Sequence, residues 1–288
     1  MKKLNRSVVL NLMATIVMAV AFGCAGPAKK SNSSQSYDSA TDDSGSAVSS
    51  PTVVESQAKP DVKRAPIGVE DALSQGIKKQ NDADIIKVSH DLLMANPANF
   101  KALNALGMSN YKKGKYKAAE YFLNKAIKAN SNESGLYNNL AMVKLAQGEQ
   151  REAVKLLKTG LNQKSDDIGI LTNLGAIYVA QKDYPIAEVV LETVFKSGTK
   201  DIKVLSNYAT SLAANKKYAE ATSIYKKLLS DNGSSREIML NYSIHLIENI
   251  KDYKQGLELI NRLKFVGAPE GARNLIIDLE NKAKSGVK

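Results

Sequence analysis

Between Leu106 and Ser243, large apolar and small residues return every 34 positions. A small residue stands at Gly107, Ala141, Gly175, Ala209 and Ser243, each directly after Leu106, Leu140, Leu174, Tyr208 or Tyr242. Twelve positions after the first four of these come Ala119, Ala153, Ala187 and Ala221, and then the apolar pairs Phe122–Leu123, Leu156–Leu157, Val190–Leu191 and Ile224–Tyr225. Within each unit the apolar positions fall at helical intervals in two bursts. Gly114, Gly148, Lys182 or Lys216 occupies the break between them, so the pattern predicts a pair of antiparallel helices per unit. The small residues mark where the paired backbones approach closely. One pair cannot bury both of its apolar faces, so the units must stack into a curved row with one concave side.

Six units follow from this register. The first, 66–99, is degenerate: Val69, Ala72, Leu73 and Ile77 predict one helix, Ile85, Ile86, Leu92 and Leu93 the second, and Leu73 and Ile85 replace the small crossing residues. Pro97 stops the second helix. Units 100–133, 134–167, 168–201 and 202–235 keep the spacing, with Tyr116, Tyr184 and Tyr218 opening three of the second helices and Pro185 falling in a first turn, where a missing N–H costs little. The sixth unit, 236–268, needs one inserted residue near Ile250 to bring Tyr253, Gly256, Leu259, Ile260 and Leu263 into phase, and the expectation is a longer turn between its helices. Residues 269–288 read as a polar-backed closing helix, with Leu275, Ile276 and Leu279 covering the last apolar face.

The sequences Asn-Leu-Gly-Ala-Ile-Tyr (Asn173–Tyr178), Asn-Asn-Leu-Ala (Asn138–Ala141) and Asp-Tyr-x2-Ala (Asp183–Ala187) resemble the tetratricopeptide repeat, whose usual pattern is Trp-x2-Leu-Gly-x2-Tyr followed by Ala, Phe, Ala and Pro. Leu171 and Leu205 take the place of the Trp, and Asn110 and Lys144 stand where an aromatic residue is common. The resemblance covers roughly residues 66–268. It implies an all-α, right-handed superhelical solenoid that works by binding a protein or peptide, and it does not specify which.

The N-terminus adds an address. Lys2, Lys3 and Arg6 precede an apolar run from Val8 to Phe22, the form of a secretory signal over 1–23. The run is shorter than the ~20 apolar residues of a membrane-spanning helix and contains Asn11. Ala21-Phe22-Gly23-Cys24 resembles a bacterial lipobox, although Ala21 replaces the commoner Leu and Phe22 is bulky for its position. That resemblance implies a lipid-modified Cys24. It is the one cysteine in the chain, so no internal disulfide competes for it. Two or three acyl chains hold a protein on a bilayer effectively permanently. Ala25, where Asp would resemble an inner-membrane retention signal, points to the outer membrane with the repeats facing the periplasm. From 24 to 65 the chain is rich in Ser, Asp, Lys, Pro and Thr and poor in large apolar residues, a composition that predicts a disordered tether. Its reach is at most about 140 Å.

Catalytic chemistry has little to draw on. His90 and His245 are the only histidines and lack metal-ligand companions at helical spacing. No phosphate-cradling glycine loop or zinc-protease helix occurs, and Asp166 and Asp167 read as helix-capping material, so no enzyme, cofactor or metal is expected. Net charge is +11, or +8 once Lys2, Lys3 and Arg6 leave with the signal. Lys112, Lys113, Lys115 and Lys117 cluster round one inter-helix turn, with Lys101, Lys125 and Lys128 nearby. This edge reads as a solvated rim or as a contact for anionic headgroups, peptidoglycan or an acidic partner. Nucleic acid is not an expected partner, since no aromatic interleaving accompanies the charge.

Asn139, Asn173, Asn207 and Asn241 recur at one position of the first helix, with Asn104 and Asn138 beside the same surface. In tetratricopeptide repeats this position looks toward the concave groove, where an amide pairs with the backbone of an extended peptide; Asn is also simply common there. The Lys and Arg companions of a two-carboxylate clamp are missing around Met108 and Met142. Six repeats behind a lipobox resemble the pilotins of type IV pilus systems, which escort a secretin to the outer membrane. The resemblance implies a secretin or other envelope protein as partner. The alternative class is a scaffold for peptidoglycan enzymes or a component of a gliding-motility or other envelope-spanning machine.

Overall fold

The computed structural model describes residues 68–287, and among these it is helical throughout, with no strand. The proposed signal, Cys24 and the proposed tether lie outside the described residues. Unit one comprises α1 (Val69–Lys78) and α2 (Asp82–Ala95); unit two, α3 (Phe100–Lys112) and α4 (Tyr116–Ala129); unit three, α5 (Ser134–Ala146) and α6 (Gln150–Gln163). Unit four comprises α7 (Ile168–Gln181) and α8 (Tyr184–Lys196), and unit five α9 (Ile202–Ala214) and α10 (Tyr218–Asp231). Unit six is α11 (Arg236–Ile244), running directly into a π-helical segment (His245–Ile250), followed by α12 (Tyr253–Val266), and α13 (Arg273–Val287) closes the row.

Each helix pair is held together where the small residues stand. Ala119, Ala153, Ala187 and Ala221 have no solvent exposure, and Leu123, Leu157 and Leu191 beside them are equally enclosed. At Gly175 a Cβ would come within 2.2 Å of Leu191 Cδ2, and at Gly107 within 2.7 Å of Leu123 Cγ. The hydrogen at these positions is what lets the first helix lie against the second. The break between paired helices is a left-handed residue: Gly114 at φ 70°, Gly148 at 81°, Lys182 at 63° and Lys216 at 66°. The next N–H then reaches five residues back, as in Lys115 to the Asn110 carbonyl and Asp183 to the Tyr178 carbonyl, both 2.9 Å. These bonds occupy carbonyls that the helix end would otherwise leave unpaired.

The sixth unit departs from expectation. Its inter-helix turn is no longer than the others, since Ile250, Lys251, Asp252 and Tyr253 repeat the layout of Gln181, Lys182, Asp183 and Tyr184, with Lys251 left-handed at φ 64°. The extra residue lies inside the first helix, as the π-helical turn. The closing bond shows it, because the Asp252 N–H reaches six residues back to Leu246, at 3.0 Å, where the other units reach five. The turn and its left-handed lysine are the same local solution as in unit four, so the helix widens and the turn is kept.

Stacking joins the units into a single row. One continuous apolar cluster runs from Ala141 in unit three to Leu259 in unit six, and a second, containing Met239, Ile247, Ile260 and Leu263, is covered by Ile276, Leu279 and Ala283 of α13. In unit one Leu73 and Ile85 are themselves buried. Asp167 caps α7 by accepting from the Ile170 N–H at 3.1 Å and receives the Ser134 hydroxyl of the preceding unit at 2.6 Å.

Candidate functional site

Successive first helices, α3, α5, α7, α9 and α11, contact one another down the row, which makes theirs the inner side of the curve. The recurrent asparagines lie along it and bond to each other. The Asn139 amide donates to Asn104 Oδ1 at 2.8 Å, Asn173 to Asn138 Oδ1 at 2.7 Å, and Asn241 to Ser206 Oγ at 3.0 Å. Each bond runs from one unit to the residue 35 positions earlier in the unit before. The result is a ladder that pins the register of neighbouring units, and Asn173 is buried within it. At the third rung Asn207 and Thr172 hold the equivalent positions, and these two form no such bond among the described residues. Asn207 is half-buried and keeps both amide donors for another acceptor.

Beside the ladder, one turn on, stand Met108, Met142, Ala176, Thr210 and Ile244, all half-buried. An amide row flanked by an adaptable, largely apolar row suits an extended polypeptide: the amides meet its backbone and the thioethers yield to its side chains.

Charged side chains brace the back of alternate joints. Lys144 on α5 lies 2.6 Å from Glu120 of α4 and 3.0 Å from Glu149, and Gln147 donates to the same Glu120 at 3.1 Å. Two units on, Asn215 and Lys217 approach Glu188 of α8 at 2.6 Å each. The hydrogen bond from Lys144 holds the Glu120 carboxyl below the usual range. Burial pulls the Lys144 ammonium down, but its bonds to Glu120 and Glu149 outweigh this and raise it. These groups are committed to the stack.

Lys112, Lys113, Lys115 and Lys117 are all exposed around the α3–α4 turn. Lys113 lies 3.5 Å from Asp82 of unit one, which partly neutralises it. His90 is exposed on α2, whereas His245 is enclosed in the π-helical turn, its Nε2 2.9 Å from the Thr222 hydroxyl and its Nδ1 3.2 Å from the Asn249 amide. The rings of Tyr218, Tyr225 and Tyr242 surround it, and burial holds its pKa below the ordinary value. Among the described residues no group of three or more His, Cys, Asp or Glu side chains is arranged to hold a metal ion.

Two features escape the repeat pattern when read unit by unit. The rungs of the ladder join positions that differ by one place in the repeat, so only the adjacent pair Asn138–Asn139 hints at them. The other is a cleft between α10 and α12, lined by Leu229, Tyr242, Leu246 and Leu259.

Residues 110–172 match the tetratricopeptide repeat family. No curated protein matches the chain in sequence. Among solved structures it is similar to a tetratricopeptide repeat protein from Parabacteroides merdae, at 16% identity over 76% of this chain and 90% of that one, with a TM-score of 0.56. It is also similar to YrrB, a TPR protein with an unusual peptide-binding site, at 13% identity over 68% and 99% with a TM-score of 0.59. A third is PilF of Pseudomonas aeruginosa, at 20% identity over 65% and 88% with a TM-score of 0.51. Identities this low establish a shared solenoid of helix pairs, an architecture whose concave surfaces bind other proteins.

Proposed function

We propose that this chain is a lipid-anchored, periplasm-facing protein-binding solenoid that assists assembly of an envelope complex, in the manner of a pilotin for a type IV pilus secretin. The binding part of this reading is carried by the inner face of the row, where the ladder is interrupted at the unpaired Asn207, with half-buried Met108, Met142 and Ala176 along the same face. An extended segment of the partner lies along the first helices and gives a backbone carbonyl to Asn207. The anchoring part is supported by the lipobox-like Cys24 behind a charged and apolar leader. The secretin is supported by the combination of that leader with six stacked units; the likeness to PilF adds the solenoid fold alone.

Deletion in the source bacterium tests the role. Loss of surface pili and of secretin multimers, with secretin monomer still made, is the expected outcome. Intact pili with altered cell shape would replace this reading with that of a scaffold for peptidoglycan enzymes, and intact pili with lost gliding would assign the chain to a motility machine.

A further inference from the structure

A row of antiparallel helix pairs sorts its turns into two edges, with the turns inside units on one and the turns that follow units on the other. The two edges differ in charge. The six turns inside units hold seven lysines against three carboxylates, whereas the six that follow units hold two lysines against five carboxylates. Residues 24–65 carry as many cations as carboxylates, so the positive excess belongs to the solenoid. On the first edge Lys79, Lys115, Lys182 and Lys216 are exposed and make no ion pair among the described residues. Lys251 Nζ donates to the Glu248 carbonyl at 2.6 Å, which leaves its charge in place. Two of the three acids are engaged: Glu149 lies 3.0 Å from Lys144, and Asp252 accepts from the Gln255 N–H at 3.0 Å.

Three of these lysines stand where a lysine is conformationally costly. Lys182, Lys216 and Lys251 take the left-handed backbone that ends the first helix, at φ 63°, 66° and 64°, the place that Gly114 and Gly148 hold in units two and three. Glycine makes that turn with no Cβ penalty. The turn geometry gives no reason for lysine, and what the residue adds over glycine is an ammonium at the tip of the edge.

We propose that this edge docks on an anionic lipid surface, the membrane to which the proposed anchor ties the chain. Lysines spread along the row in every unit but the third match a field of like charges, and each is a compact, hydrated point charge on a long stem. A single acidic side chain would meet only one or two of them. The chain before the solenoid is long enough to permit the pose. It joins α1 at the opposite edge, so it must pass one helix length, about 21 Å for the 14 residues of α2, and residues 24–65 reach up to about 140 Å. Docked in this way the row stands on its edge, and the groove along the first helices stays open to a partner. The inference rests on the anchored part of the proposed function and not on the concave face.

The test uses residues 24–288 carrying Cys24→Ser, which withholds both the lipid and the apolar leader, in sedimentation with phosphatidylcholine vesicles made with or without phosphatidylglycerol. Binding to the anionic vesicles alone is expected, fading as salt rises. Replacing Lys182, Lys216 and Lys251 together by Gly is expected to weaken binding about fivefold per lysine while raising the melting temperature, so that misfolding cannot account for the loss. Removing the same charge from the opposite edge, by Lys128→Gln, Lys164→Gln and Lys200→Gln together, is expected to leave binding within about twofold, because that edge lies beyond a Debye length of about 10 Å at 0.1 M salt. Equal losses in the two triple variants would reduce the effect to net charge and overturn the inference, as would no binding or equal binding to neutral vesicles. So would displacement by inorganic phosphate beyond that by chloride at the same ionic strength, which would give the lysines to free phosphate. Binding of poly-glutamate without binding of vesicles, lost in the glycine variant, would give the edge to an acidic polypeptide. Fractionation of cells making the chain with its native Cys24 reads the anchor separately: a membrane-bound chain whose 24–288 form ignores vesicles sinks only the edge, and a soluble chain whose 24–288 form binds them sinks only the anchor.

Discussion

At the close approach in its second helix, unit six carries Gly256 where the four preceding units carry Ala119, Ala153, Ala187 and Ala221. Helix propensity alone makes Gly256→Ala stabilising by about 1 kcal/mol. The structure reverses the sign. The π-helical turn brings Ile247 against Gly256, so that an added Cβ would lie 2.4 Å from Ile247 Cγ1 and 3.0 Å from its Cδ1. Ile247 has no solvent exposure, and its β-branched side chain resists rotation about χ1. Overpacking of this kind costs about 1–3 kcal/mol, which leaves a net loss of up to about 2 kcal/mol after the propensity gain. For a chain of this size that lowers the melting midpoint by up to about 8 °C. Thermal unfolding followed by circular dichroism reads the change, and amide exchange shows the loosening to be centred on α12 and α13. In the Ile247→Ala background the same methyl has room, so the two changes together cost about 1 kcal/mol less than their sum. A rise in stability for Gly256→Ala alone would refute the placement of Ile247 and with it the account of where the inserted residue lies.

Three further outcomes follow from the stack. Asn173→Ala leaves the Asn138 Oδ1 acceptor without its 2.7 Å donor and costs about 1–2 kcal/mol; a double-mutant cycle with Asn138→Ala in urea denaturation shows coupling, whereas Asn207→Ala shows none with Thr172→Ala. Lys182 and Lys216 hold left-handed backbone, at φ 63° and 66°, at a cost of about 1–2 kcal/mol for an L-residue. Replacing either by Gly raises stability by about 1 kcal/mol, net of the extra chain entropy, in the same denaturation assay. Burial lowers the pKa of His245 in the folded chain, so the unfolded state takes up its proton first as the pH falls. Stability from this residue is complete well above the ordinary pKa of 6.5 and declines as the pH drops below it. His245→Gln flattens the slope of unfolding free energy between about pH 7 and 5.

The repeat itself was legible because close helix crossings tolerate few side chains. Ala119, Ala153, Ala187 and Ala221 recur on a fixed period, and that period requires a hairpin whose backbones touch. The position of the inserted residue in unit six was not legible from apolar phase alone, since an extra residue in the turn and one in the helix restore the same register. The signal that separates them is the tripeptide Lys251-Asp252-Tyr253, which repeats Lys182-Asp183-Tyr184 and places the insertion upstream of the turn. The asparagine surface was visible as a periodic row, but not that three of its amides are engaged between units, because such a bond depends on the offset between neighbouring helices. Sequence periodicity ranks all the rungs alike; geometry separates Asn207 from the rest. The cleft beside Tyr242 escaped for a related reason. It depends on how far α10 and α12 stand apart in the stacked joint, which an apolar pattern does not record.

The central claim is that this chain acts by gripping another protein along its first helices. Photocrosslinking in the native envelope from a residue analogue at Ala176, set against the same analogue at the exposed Lys158 on the outer side, tests it most directly. A single discrete protein adduct from Ala176, lost on Asn207→Ala and absent from Lys158, is the predicted result. A correctly folded chain that yields no adduct from Ala176, or the same unselective adducts from both positions, would contradict it.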